Sequence, residues 1–316
     1  SNEADKDSSK LVQNHHSQRK YKYSLSEKNI YVIDMVEVTT DNGVKIEKQE
    51  VLRADRSLRD ILEIPYRSGE MLQPWFEKKL KGKEEKLCGV SLVYDFETDR
   101  EIKDIQLVVE DLEHIHSISL NGKKISLEST GKWIDICFDV LTLPNEIRRG
   151  NNVIQIQYDY YKTCGLEAIY LLGDFGVSIS KDNSDPVITT LPEYLEIGDI
   201  TYQGFPFYSG KISYHIEGLE DKDLLVRVSN FEGSCVKLMG EDEKIIAFDP
   251  YESEMRGLKM IQVVLTRRNT FGPLHEIPAT ALHCAPDSFM TSGEYWSDNY
   301  VLLPQGLIEK PEYFEI

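Results

Sequence analysis

Five strand-like strings recur in the same order in the two halves of this chain, and that recurrence limits the fold more than any other feature of the sequence. Tyr94-Asp-Phe-Glu97 is matched by Tyr214-His-Ile-Glu217, and Ile105-Gln-Leu-Val-Val-Glu110 by Leu224-Leu-Val-Arg-Val-Ser229. Ile118-Ser-Leu-Asn-Gly122 is matched by Val236-Lys-Leu-Met-Gly240, Phe138-Asp139 by Phe248-Asp249, and Gly150-Asn-Asn-Val-Ile154 by Gly257-Leu-Lys-Met-Ile261. Self-similarity in a fixed order is the signature of one supersecondary unit used twice. The strings alternate apolar and polar residues and are separated by turn signals, Asn121-Gly122 being the sharpest, with little helical pattern between them. That combination specifies an all-β fold of two consecutive antiparallel, jelly-roll-like β-sandwiches.

A length of 316 residues suits two such domains, each large enough for its own core. Residues 1–20 read as a polar tail, 21–180 as a first sandwich with a leading hairpin, and 181–316 as a second sandwich. The hairpin comes from the β-branched run Asn29 to Thr39 and from Val44 to Lys48, turned at Asp41-Asn-Gly43. Asp55 to Leu62 has the spacing of a short helix with Asp55 as its cap, and Pro65 ends it. Gln73-Pro-Trp75 opens a Lys/Glu-rich connector, and Gly198 to Tyr214 is an aromatic, glycine-rich seam between the two units.

A net charge of −18 and the absence of a Lys/Arg stripe exclude a nucleic-acid backbone or an anionic membrane as partner. No apolar run reaches the roughly 18 residues of a membrane-spanning helix. Five dispersed cysteines without a CxxC pair read as free thiols packed as small hydrophobes, which favours a reducing, cytoplasmic setting. Catalytic signatures are missing: there is no phosphate loop, no G-x-S-x-G elbow and no H-E-x-x-H. His114 and His116 read as sheet-face histidines, while His15-His16, His275-Glu276 and His283-Cys284 lack the partners a metal site or dyad needs. Trp133 reads as core.

The string Leu120-Asn-Gly122 ahead of Trp133-Ile-Asp135, followed by Gly150-Asn-Asn-Val-Ile154, is similar to the sugar-binding, galactose-binding-like jelly roll of family 2 glycoside hydrolases. Gly173-Asp-Phe-Gly176, Gln203-Gly-Phe-Pro-Phe-Tyr-Ser-Gly210, Arg268-Asn-Thr-Phe-Gly-Pro-Leu-His275 and Tyr295-Trp-Ser-Asp-Asn-Tyr300 resemble the C-terminal region of large hydrolases related to the α-L-rhamnosidases. Met239-Gly240 in place of Asn-Gly, and Ile200 where many relatives carry tryptophan, depart from that pattern. The resemblance implies a non-catalytic accessory portion that binds carbohydrate or supports a catalytic barrel domain of the same polypeptide.

Sugars are held by an aromatic face beside polar groups. Two stretches offer both: Tyr202, Gln203, Phe205, Phe207 and Tyr208, and Tyr295, Trp296 and Asp298. The alternative is that these aromatics fill sandwich ends in a purely structural or protein-interaction module. A third reading, autonomous glycoside cleavage, needs two carboxylates about 5–10 Å apart across the bond, and no βα alternation builds a barrel to hold them. No cofactor is expected; a structural calcium is compatible with the fold, but no D-x-D-x-D-G loop nominates its ligands.

Overall fold

The computed structural model describes residues 10–11, 18–67, 86–277 and 289–316. It is all-β and antiparallel save for one short parallel pair, and among these residues the only α-helices are Val51–Ile61 and Arg268–Phe271. The chain divides into two compact units whose segments interleave instead of meeting at one break near residue 180. A split unit comprises Ser1–Lys28, Leu191–Gly272 and Leu302–Ile316; an inserted unit comprises Asn29–Thr190 and Pro273–Val301.

Each unit is a sandwich of two sheets, and strand by strand the sheets agree. In the inserted unit, Met35–Thr40, Lys86–Thr98, Gly150–Tyr161, Ile115–Leu120 and Lys123–Lys124 hydrogen-bond in that order. In the split unit the order is Tyr23–Leu25, Lys211–His215, Met260–Val264, Cys235–Met239 and Glu243–Ile246. The facing sheets run Asp135–Thr142, Gln106–Val109, Ile169–Gly173, Asn29–Ile33, and Glu252–Arg256, Asp223–Arg227, Glu312–Glu315, Lys10–Leu11. Nine strands of one unit therefore have a counterpart in the other. In each unit two of the nine strands come first and the other seven follow, within the same segment in the inserted unit but only after residues 29–190 of the inserted unit in the split one.

Register follows the repeated strings. Leu120, Ile154, Tyr94 and Val36 lie side by side in the inserted unit; Leu238, Ile261, Tyr214 and Tyr23 do so in the split unit. Because side chains alternate across a strand, a shared register puts the same positions on the inner face of both units. Ile212, Tyr214, Val236, Leu238, Ile261 and Val263 of one sheet accordingly meet Leu224, Val226, Met255 and Tyr313 of the other in one buried cluster. Such side chains contribute roughly 1.5–3 kcal/mol each on burial. In the inserted unit, Tyr31 reaches across to Phe96, ring centroids 6.2 Å apart, and the reverse face of its sheet carries Trp133, Phe138 and Tyr170 in mutual contact. Trp133 packs there half-buried.

The turns explain two sequence features. Asn121 and Gly122 both take left-handed backbone (φ 51° and 83°), as a two-residue hairpin turn requires. Gly240, in the counterpart turn, has ordinary φ, but a Cβ there would come within 2.6 Å of the Gly257 carbonyl oxygen, so glycine is kept for close backbone approach.

Four expectations need correction. The helix starts at Val51, capped by Glu50, whose carboxylate accepts the Arg53 N–H at 3.0 Å; Asp55 lies inside the helix and is buried. The tail is not wholly without structure, since Lys10–Leu11 pairs with Phe314 and Glu315; two residues of backbone pairing leave no periodicity to read. Phe138 is buried, whereas Phe248 is 79% exposed and precedes its strand, so those two are not equivalent. Cys88 and Cys164 are buried as expected of packed thiols, but Cys137 is exposed and Cys235 half-buried, and none of the four is in a disulfide. Trp75, His15-His16 and His283-Cys284 lie outside the described residues.

Candidate functional site

The first aromatic stretch belongs to the split unit and mostly serves its core. Asp199 caps the turn Ile200–Tyr202, accepting N–H groups of Thr201 at 2.9 Å and Gln305 at 3.1 Å. The Gln203 amide staples the same loop, accepting from the Glu196 N–H and donating to the Glu196 and Asp199 carbonyls. Phe205, Phe207 and Tyr208 are fully buried, Phe205 lying between Tyr23 and Tyr208, and the Tyr208 hydroxyl donates to the Lys211 carbonyl at 2.8 Å. No ring face of these three is open to a ligand. Tyr202 alone projects, 53% exposed.

The second stretch belongs to the inserted unit and rests on a buried polar cluster. Asp34, at the bend between two strands, accepts the Tyr300 hydroxyl at 2.8 Å and meets His275 Nε2 at 3.1 Å, while His275 Nδ1 lies 2.8 Å from the Ser297 carbonyl. His275 stacks on Trp296 at 5.1 Å, and the Arg53 guanidinium sits 4.9 Å from the same ring. Trp296 Nε1–H donates to Asp298, which also pairs with Arg53 at 3.3 Å. Much of the Trp296 ring is thus occupied within the protein. Tyr295, 48% exposed, and the exposed Asp298 carboxylate face outward.

This cluster makes stability depend on pH. Burial lifts the Glu50 carboxyl to about 7, helped by the Asp34 charge. Burial lowers His275, but its hydrogen bond to Asp34 and that carboxylate's charge outweigh burial and leave it raised. Both groups hold protons to higher pH when folded, so their stabilisation is full at low pH and is lost as pH rises, through about 7 for Glu50 and through the raised range of His275. The described tryptophans, Trp133 and Trp296, both belong to the inserted unit, so their fluorescence follows its unfolding. The urea midpoint should be lower at about pH 8.5 than at about pH 5.5, and Glu50→Gln should flatten the difference. A midpoint rising with pH would contradict the assignment.

A second polar group surrounds a cavity of about 30 Å3 at one end of the inserted sandwich, bordered by Glu110, Asp111, Tyr158 and Glu167 among apolar walls. Ligand pockets run to about 300–1,000 Å3 and a water needs only about 10–15 Å3. The cavity fits water, not a sugar ring. Burial, with the Glu167 and Asp111 charges, lifts the Glu110 carboxyl to about 8, and burial also raises Glu167 against the opposing Arg67 guanidinium. Beside it, one ligating atom each from Asp111, His114 and Cys164 lie within 4.8 Å of one another. His114 is not the sheet-face histidine expected: it ends the turn Leu112–His114 and packs against the Tyr161 ring at 4.7 Å. The cysteine partner lies fifty residues on, which no local spacing rule could have joined to it. His116 is exposed and pairs with Asp159 at 2.6 Å.

No protein-family model matches the chain, and no curated protein matches it in sequence. Among solved structures it is similar to a β-D-mannosidase from Dictyoglomus thermophilum at 13% identity and a TM-score of 0.30, over 76% of this chain and 31% of that one. It is likewise similar to a β-glucuronidase from Ruminococcus gnavus, at 10% identity and a TM-score of 0.30 over 77% of this chain and 41% of that one. A second structure of that glucuronidase aligns at 12% identity and a TM-score of 0.30, over 95% of this chain and 47% of the other. The chain spans less than half the length of each of these glycosidases.

Proposed function

We propose that this chain is a non-catalytic β-sandwich portion of a glycoside-hydrolase-like protein, with galactose-binding-like jelly rolls of the kind its motifs resemble, including those of rhamnosidase-related hydrolases. Its role is to hold carbohydrate or to support a catalytic domain. The observation that carries the reading is the duplicated nine-strand sandwich: it accounts for most strands among the described residues, which show no repeated βα alternation. Function in such a scaffold resides in its surface residues; in the second stretch Tyr295 leaves its ring half exposed, and next to it in sequence Trp296 carries the paired Asp298 carboxylate and Arg53 guanidinium.

Calorimetric titration of the full chain with neutral and acidic monosaccharide glycosides should give saturable binding that weakens about tenfold or more in Tyr295→Ala, the loss of one stacking face. Absence of heat at millimolar sugar with folded protein removes the carbohydrate half. The burial of Phe205, Phe207 and Tyr208 favours the structural reading for the split unit, where Tyr202→Ala should leave sugar titrations unchanged.

A further inference from the structure

We propose that Asp111, His114 and Cys164 bind a divalent transition-metal ion of the zinc type, with its fourth position facing the water-sized cavity. The inference goes beyond the carbohydrate reading and does not depend on it. Cys164 Sγ lies 3.3 Å from His114 Nδ1, and the carboxylate oxygen of Asp111 completes a triangle no wider than 4.8 Å. Around tetrahedral zinc, with bonds of roughly 2.3 Å to sulfur and 2.0 Å to nitrogen, sulfur and nitrogen ligands sit about 3.5 Å apart. The sulfur–nitrogen edge is therefore already near the spacing of an assembled site, and the Asp111 carboxylate has to close in to complete it.

Donor chemistry narrows the ion. A thiolate and an imidazole suit zinc, cobalt or copper, and argue against calcium or magnesium, which take oxygen donors. Three protein ligands next to open space is also the pattern of a site that keeps an exchangeable position, in contrast to a closed four-ligand structural site. The cavity shares Asp111 with the triangle and is large enough for one or two waters.

The three ligands are held from outside the site. His114 N–H bonds back to the Asp111 carbonyl at 2.9 Å, and the His114 ring lies against Tyr161 and edge-on to Tyr158. Tyr158 also places its hydroxyl 3.4 Å from the Asp111 carboxylate. On the other side, buried Arg59 donates to the carbonyls of Lys162 and Cys164, fixing the loop that carries the sulfur. Fixed outer partners of this kind orient ligands and tune affinity. Binding converts the Cys164 thiol to thiolate, and its proton passes to solvent, so affinity falls at low pH.

The test is titration of chelator-treated full-length protein with cobalt(II), read by absorption. The expected result is a single saturating step at one equivalent, with a thiolate-to-cobalt charge-transfer band and the d–d bands of a tetrahedral ion, all displaced by zinc. Cys164→Ser should abolish the charge-transfer band, and His114→Gln should weaken binding about tenfold or more, the usual cost of a lost ligand or outer partner. Cys137→Ser and Cys284→Ser serve as controls that should leave the band intact. Absence of a saturable band in the unmodified protein overturns the proposal, as does a band that survives in Cys164→Ser or disappears in either control. Because the first of these needs no variant, a Cys164→Ser protein that fails to fold does not shield it. Sugar titration without metal is unaffected by either result, so failure here and failure of the carbohydrate reading are separable.

Discussion

Arg59→Ala should cost the inserted unit about 3–5 kcal/mol, the range for breaking a buried ion pair from one side. Arg59 and Asp55 are one helical turn apart on Val51–Ile61 and both are buried, with Nε 3.0 Å from the Asp55 carboxylate. The rest of the guanidinium donates to the carbonyls of Pro65, Lys162 and Cys164, at 2.8, 3.1 and 2.5 Å. Asp55 in turn accepts the Tyr160 hydroxyl at 2.7 Å and the Leu166 N–H at 3.0 Å. Removing the arginine leaves the buried carboxylate with only Arg67, 3.7 Å away, as counter-charge, and three carbonyls without this donor. In Asp55→Leu/Arg59→Met the buried charge disappears, but the three carbonyls, the Tyr160 hydroxyl and the Leu166 N–H are left unpaired, so the double variant should recover at most part of the loss. Urea unfolding followed by tryptophan fluorescence measures it. A loss below about 1 kcal/mol would show the pair to be peripheral.

Asn152→Ala should cost about 2–4 kcal/mol, since buried partners left unpaired cost roughly 1–3 kcal/mol each. The side chain is fully buried and uses both of its ends. Its oxygen accepts from Asn121 Nδ2 at 2.8 Å and the Arg148 N–H at 3.1 Å; its amide donates to the Arg148 and Gly150 carbonyls at 2.7 and 3.0 Å. It ties the 121–122 hairpin turn to the turn before strand Gly150–Tyr161. Asn152→Asp should be no better, because a second acceptor would then face two carbonyl oxygens. If Asp were tolerated and Ala cost little, the Gly-Asn-Asn-Val string would lack the structural role given to it here.

The strand order was readable because half-buried strands alternate, and Tyr94, Leu120 and Ile154 stand at the same points of the pattern as Tyr214, Leu238 and Ile261. The Asn121-Gly122 turn was readable because its backbone conformation admits few other residue pairs. What was hidden is non-local. Tyr23–Leu25 and Lys10–Leu11 complete the split unit through backbone pairing with partners about 190 to 300 residues away, which their side chains do not announce. The helix start was misplaced because Asp55 has a capping residue's identity but spends its carboxylate on Arg59 and Tyr160. The aromatic stretch from Tyr202 to Tyr208 has a composition equally suited to a ligand face or a core, and only burial separates them. Asp111, His114 and Cys164 are joined by the sandwich end alone.

The duplicated architecture stands or falls on the two N-terminal strand pairs, and interstrand nuclear Overhauser contacts measure them directly. The structure predicts contacts of Ser24 with Ser213 and of Glu37 with Val93 in the same sample. Contacts from Tyr23–Leu25 to Lys86–Thr98, or none to Lys211–His215, would contradict it.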